Sequence, residues 1–245
     1  LGVVVLSVSF EGKVTKTVRS ALSGHGLFRL ASWQEQEPEG GWNDPDPWDD
    51  SRYSGSKRFN LPLTYSGMIL AVCVAFYLVK MIAPGFAFDY LALNPATLAF
   101  RPWTLITHMF LHANTNHLFF NMLFLFFFGT ELERRVGENR FLQIFIVSGI
   151  IGAIGQMLIT PAGYMMGASG ALYGVLGCLA VIAPEIRVLI FFVLPLSIRA
   201  SVFLFAFLDF AMMGTADSIA HMAHITGLVA GLAYGMMLKD RYRYR

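Results

Sequence analysis

Six apolar runs, at about residues 64–82, 115–131, 140–160, 168–183, 198–214 and 219–238, leave this chain few architectures. Crossing the ~30 Å hydrocarbon core of a bilayer takes about 20 apolar residues in helical form. Charged residues are 14% of the chain and apolar ones 56%, against about 25% charged in an ordinary soluble domain. The expectation is an all-α, multi-pass membrane protein of six spanning helices, with the lipid bilayer as its main partner. A formal net charge of +2 is too small to mark a nucleic-acid partner, so what matters is where the charges sit.

They sit between the runs. An even number of spans puts both termini on one side, and that side then receives every Lys and Arg except Lys80 and Arg101. The positive-inside rule makes it the cytoplasm, as for a protein of the cell (inner) membrane. Runs two, four and six therefore enter from outside, and polar residues in their first halves share the outer half of the membrane. The connection from Pro84 to Asn114, with Arg101-Pro102-Trp103, is mixed and aromatic, as expected of a loop half-sunk in the headgroups. Val188 to Ile198 is apolar, but Pro195 would break a helix there and Arg199 would be buried, so this stretch is read as a loop at the interface.

Residues 1–60 form a separate cytoplasmic region, and 61–245 the six-span domain. From Trp33 to Ser56 the first region is an acidic, Pro- and Gly-rich linker, centred on Asp44-Pro45-Asp46-Pro47 and expected to be disordered. Residue 1 is Leu rather than Met, as in a sequence that begins inside a longer product, and no complete signal peptide is visible. Cys73 and Cys178 both fall inside apolar runs, with neither metal nor disulfide spacing.

The fourth run opens with Gly167-Ala168-Ser169-Gly170-Ala171-Leu172-Tyr173-Gly174. From Ser169 to Ala183 a helix covers only ~21 Å, too little to span. Ser169 is thus expected below the outer surface, with residues 160–166 dipping in above it, which lipid tolerates only where protein or water surrounds the backbone. A hydroxyl at that depth on a glycine-rich turn suggests a nucleophile, although Gly-x-Ser-x-Gly fails at Ala171 and a small-residue packing site is the plainer reading. The sixth run carries His224, as far from its inner end at Leu238 as Ser169 is from Ala183. Two helices running the same way place hydroxyl and imidazole at one depth. Gly227, Gly231 and Gly235 on one helix, and Gly170, Gly174 and Gly177 on the other, would allow the close approach that a direct hydrogen bond demands. A structural histidine bonded to a backbone carbonyl is the competing reading. Asp209 and Asp217 are placed on or near the outer loop before the sixth run and left outside the catalytic set.

Around the start of the second run lie His108, His112, Asn114 and Asn116, then His117 and Asn121 four apart on one helix face. Both of the last two can donate towards an oxyanion, with the Ser169 amide as a third donor. Zinc is the alternative, since His108 and His112 are also four apart, but no His-Glu-x-x-His and no nearby acid accompany them. The expectation is no metal and no cofactor.

Gly167-Ala168-Ser169-Gly170, His224 with Gly227 and Gly231, and His108-x-x-x-His112-x-x-x-x-His117-x-x-x-Asn121 together resemble the rhomboid family of intramembrane serine proteases over about residues 64–238. The resemblance implies a six-helix bundle with Ser169 as nucleophile, His224 as general base, and His117, Asn121 and the Ser169 amide as the oxyanion hole. It further implies that Tyr173 packs on the catalytic histidine, and that Glu133 and Arg135 tie the second span to the first loop. Trp103 matches that loop's tryptophan, while Thr104 stands where many members have arginine. The activity implied is cleavage of transmembrane-protein substrates near the outer membrane edge through an acyl-enzyme. The rivals are an inactive rhomboid-like protein that binds membrane clients, and a histidine-lined transporter, whose inverted repeats are not seen.

Overall fold

The computed structural model describes residues 64–159, 163–190, 193–213 and 219–242; the linker expected within 1–60 lies outside these, as does Asp217. Helices occupy all six apolar runs. Helix α1 is Tyr65–Ile82. Its N-cap Thr64 accepts from the Gly67 amide at 3.2 Å, and it stops at Ala83, whose helical conformation the following proline disfavours. Helix α2 covers 115–136 as Thr115–Phe124, a π-turn Leu125–Gly129 and Thr130–Val136, and ends where Gly137 takes φ 84°. Helices α3 (Glu138–Ile159), α4 (Ser169–Ile182), α5 (Ile198–Met212) and α6 (His221–Tyr242) follow. Three helical stretches, Tyr65–Ile82, Glu138–Ile159 and His221–Asp240, are long and apolar enough to cross a membrane. The molecule is a helical, multi-pass membrane protein.

Helix α4 lies at the centre. It is apolar on every side, and each residue from Gly174 to Ala180 is buried, as befits a helix surrounded by others rather than by lipid. Lipid tails compete with apolar side chains on equal terms, so helices in a bilayer hold together by close packing and hydrogen bonds. That closeness is visible at the glycines. A Cβ on Gly231 would run into the carbonyl oxygen of Gly174, one on Gly227 into that of Gly170, and one on Gly235 would lie 3.0 Å from that of Cys178. Helix α3 joins the same contact: a Cβ on Gly152 would meet the Ala223 carbonyl oxygen at 2.8 Å, and one on Gly149 would lie 3.2 Å from the Ala171 Cβ. Backbone therefore meets backbone along α4 and α6.

The stretch read as an interfacial loop is instead a β-hairpin. Strands β1 (Arg187–Ile190) and β2 (Leu194–Ser197) pair antiparallel, with Arg187 opposite Ser197 and Leu189 opposite Pro195. Val188 and Ile190 are buried while Arg187 faces out, a period of two that buries one side of a strand. A two-stranded ribbon consists of edges alone, which is where a proline can sit. Ser197 then caps α5, accepting from the Ala200 amide at 3.2 Å.

The connection between α1 and α2 is a chain of short turns, including a π-turn Ala87–Leu91 and 3-10 turns Pro95–Thr97 and His108–Phe110. It clamps the loop ahead of α4: Leu93 and Met165 exchange backbone hydrogen bonds at 3.0 and 2.8 Å, and the Gly167 amide donates to the His108 carbonyl at 2.9 Å. Trp103 Nε1 donates to the Tyr90 carbonyl at 2.8 Å, and Thr104, buried, donates its hydroxyl to the Arg101 carbonyl at 2.7 Å. A buried arginine is thus not needed at 104 to hold this turn.

Glu133 and Arg135 require a correction. The buried Glu133 carboxylate accepts from the Tyr65 amide at 2.7 Å, the Ser66 amide at 3.0 Å and the Ser66 hydroxyl. It ties the second helix to the start of α1 rather than to the first loop, because the free amides and positive dipole end of a helix N-terminus attract an anion. Arg135 pairs with Glu131 at 2.6 Å and with Glu185, beyond α4, at 2.8 Å.

Candidate active site

Gly167 has φ 129°, a conformation that side chains rarely adopt, and a Cβ there would lie 2.6 Å from Cε1 of His117. Glycine lets the chain pass against the His117 ring before turning into α4. Ser169 is the first residue of that helix, so its amide is among those with no intrahelical partner.

The backbone contacts between α4 and α6 set the distance across which Ser169 faces His224. Ser169 Oγ is 2.8 Å from His224 Nε2. Tyr173, one turn further along α4, stacks on the His224 ring with centroids 4.4 Å apart and planes 12° from parallel. On the far side of the ring, His224 Nδ1 is 2.9 Å from Asp209 Oδ1, and His221 Nδ1 is 2.7 Å from the same oxygen. A carboxylate only accepts. Each Nδ1 therefore carries its proton towards Asp209, and His224 Nε2 is left as the acceptor for the serine hydroxyl.

Asp209 was expected near an outer loop, outside the catalytic set. It lies in the last turn of α5, buried with its neighbour His221. The available signal was an acid inside an apolar run, which is costly in a membrane and marks a functional position.

On the other side, Asn114 caps α2 by accepting from the His117 amide at 2.8 Å. Asn121 Nδ2 donates to the His117 carbonyl at 2.7 Å, and its buried Oδ1 has no protein partner. The rings of His112 and His117 meet edge to face at 5.1 Å, and His112 Nε2 is likewise buried without a partner. His108 Nδ1 donates to the Thr104 carbonyl at 2.9 Å; burial pushes this histidine down to about 4, so it is neutral. His108 and His112 are thus packed into the loop. Among the described residues the metal-type cluster is Asp209, His221 and His224, whose ligand atoms lie within 4.8 Å of one another, and neither His108 nor His112 belongs to it.

A sequence model of the rhomboid domain matches residues 99–241, a stretch holding every one of these groups. The chain belongs to the rhomboid family. Rhomboid protease GlpG of Yersinia pestis (strain Pestoides F) is 31% identical over 212 residues, covering 84% of this chain and 72% of the relative. GlpG of Yersinia pseudotuberculosis serotype IB (strain PB1/+) gives the same figures. The Bacillus subtilis (strain 168) rhomboid-family protein YdcA is 36% identical over 151 residues, covering 58% of this chain and 71% of that one. Within the rhomboid match, Ser169 and His224 come from two helices packed backbone to backbone, and Asp209 from a third.

Proposed function

We propose that this rhomboid is an intramembrane serine endopeptidase that cleaves transmembrane-protein substrates near the outer edge of their hydrophobic segments. The observation that carries the reading is the 2.8 Å approach of Ser169 Oγ to His224 Nε2, within the reach a nucleophile and its base require. Ser169 Oγ attacks the scissile carbonyl carbon while its proton passes to Nε2. The resulting oxyanion lies among the Ser169 amide, the His117 side chain and the second amide hydrogen of Asn121, its first being held by the His117 carbonyl. Collapse breaks the C–N bond, and the leaving amine takes the proton back from Nε2. Water then attacks the acyl-enzyme with His224 again as base, releasing the carboxylate product and restoring Ser169. The unpartnered His112 Nε2 and Asn121 Oδ1 are buried polar atoms of the kind that ordered water satisfies, and they support a wet cavity beside the serine.

Six spans with both termini in the cytoplasm complete the reading. The three long apolar helices support it together with the distribution of Lys and Arg. Ser169 then lies in the outer half of the cell membrane, reached from the side by a substrate helix.

The test is cleavage of a model single-span substrate in liposomes. Ser169→Ala and His224→Ala are each expected to remove nearly all turnover while leaving the protein inserted, because nucleophile and base act as a unit. Activity within a factor of about ten of wild type in either variant would end the proposal.

A further inference from the structure

Helix α5 is apolar almost throughout, yet it carries Asp209 in its last turn. A carboxylate in a membrane helix is costly unless it finds partners, and the partners of this one include two imidazoles. His221 and His224 are one turn apart on α6 and bring their Nδ1 atoms to 2.7 and 2.9 Å from the same oxygen. The arrangement spans three helices: α5 holds the acid, α6 the two rings, and α4 the serine.

The geometry points to Asp209 as the positioning residue for His224, converting a serine–histidine pair into a serine–histidine–aspartate relay; this rests on the peptidase reading above. Asp209 does three things. It holds the proton on Nδ1, so that Nε2 presents its lone pair to Ser169. It fixes the ring's rotation, the opposite edge being hydrogen-bonded to Ser169 and the face covered by Tyr173. It offsets the positive charge that appears on the ring when Ser169's proton arrives. That proton moves from Oγ to Nε2 only; the Nδ1 proton stays where it is and Asp209 is not protonated. His221 has its own part, as the second donor on the same oxygen that keeps the carboxylate from swinging away.

The same three side chains have the composition of a metal site, but the chemistry argues against that use. A cation on His224 Nδ1 requires that nitrogen to be deprotonated, which moves the neutral ring's proton to Nε2 and leaves nothing to accept the serine proton. The separations of 2.7 and 2.9 Å are hydrogen-bond lengths.

The titratable groups facing His224 are Asp209 from α5, Tyr173 from α4, His221 on α6 itself, and His117 from α2 across the site. Only Asp209 among them is an acid able to counter an imidazolium. Removing its charge should therefore be felt in the pH profile as well as in the rate.

The experiment compares full-length wild type, Asp209→Asn and Asp209→Glu on the liposome substrate. Asp209→Asn is expected to lower kcat by ~10²–10⁴ with KM within about twofold, because Asn can turn its N–H₂ towards Nδ1 and select the wrong tautomer. The acidic limb of its residual kcat profile moves to lower pH, since the imidazolium has lost its counter-charge. Asp209→Glu recovers part of the rate, and a chelator leaves wild type unchanged. Asp209→Asn with kcat within about threefold of wild type and the same acidic limb overturns the relay; so does loss of wild-type activity on chelation, which would favour the cation site. If Asp209→Asn does not fold, the wild-type protein labelled with [15N]histidine decides. A far-downfield Nδ1 proton on His224 is expected, and its absence overturns the proposal. Ser169→Ala separates the two ideas: an active Ser169→Ala removes the peptidase reading, whereas a dead Ser169→Ala beside a fully active Asp209→Asn removes only the relay.

Discussion

Each polar side chain in an apolar setting must find a partner, and here the partners form the site. Ser169 and His224 were legible as candidates because a hydroxyl and an imidazole fall at matched depth in two apolar runs, where an ionisable group marks a functional position. Asp209 is less legible, because an acid near the end of the fifth run, close to the outer loop, reads equally well as an ordinary polar residue facing solvent; α5 in fact carries it into the protein. His108 shows the same rule away from the reacting atoms. Its value falls from an ordinary 6.5 to about 4 through burial, with Nδ1 donating to Thr104. A folded-state value lowered in this way favours the neutral ring, so its contribution is complete above about pH 6.5 and is lost as pH falls towards 4. Thermal unfolding followed from pH 7 to pH 4 should show wild type losing up to ~3 kcal/mol from this group. His108→Asn should start less stable at pH 7 and show a flatter slope. An equally steep slope in the variant would assign the pH dependence to other groups.

At the scale of elements, α4 is the piece on which the others depend. Its glycines and those of α6 were legible as small faces from their spacing, with Gly231 expected against the face of Gly174 and Gly177; the structure sets Gly231 on Gly174 and Gly227 on Gly170. The glycines of α3 were missed because that helix carries no chemical group to draw attention to it, although Gly149 and Gly152 pack in the same contact. The hairpin Arg187–Ser197 was missed for a different reason: its buried Val188 and Ile190 sit in a continuous apolar stretch, where a period of two is masked, and Pro195 argued against any regular element. Gly231 gives the element-scale prediction. A Cβ there meets backbone, not a side chain that can rotate away. Gly231→Ala should thus be nearly as damaging as Gly231→Val, each costing ~1–3 kcal/mol, with cleavage down about 10²-fold as Ser169 and His224 are pushed apart. Thermal melting and substrate turnover measure both. Wild-type stability with full activity in Gly231→Ala would place this face away from the α4 contact.

For the molecule as a whole, the six apolar runs gave the helices to within a few residues, because length and hydropathy are local properties. The short α4 was equally legible as an apolar helix of fewer residues than a span requires. What pattern alone could not supply was how the first loop clamps residues 163–167, since the Leu93 to Met165 and His108 to Gly167 bonds join distant backbone whose side chains carry no signal. Topology is open to direct labelling. In a background lacking Cys73 and Cys178, cysteines at Ser56 and Arg245 should be shielded from an impermeant outside reagent, and one at Ala162 should react. Labelling of one terminus alone would require an odd number of spans.

The most direct measurement is covalent. A fluorophosphonate reacts with a serine only where a neighbouring base has activated it, so it reports the pairing of Ser169 with His224 without any choice of substrate. Purified protein is expected to gain one adduct, mapped by mass spectrometry to Ser169, and to lose it in both Ser169→Ala and His224→Ala. An unlabelled wild-type protein, or an adduct on another residue that persists in Ser169→Ala, would contradict the account.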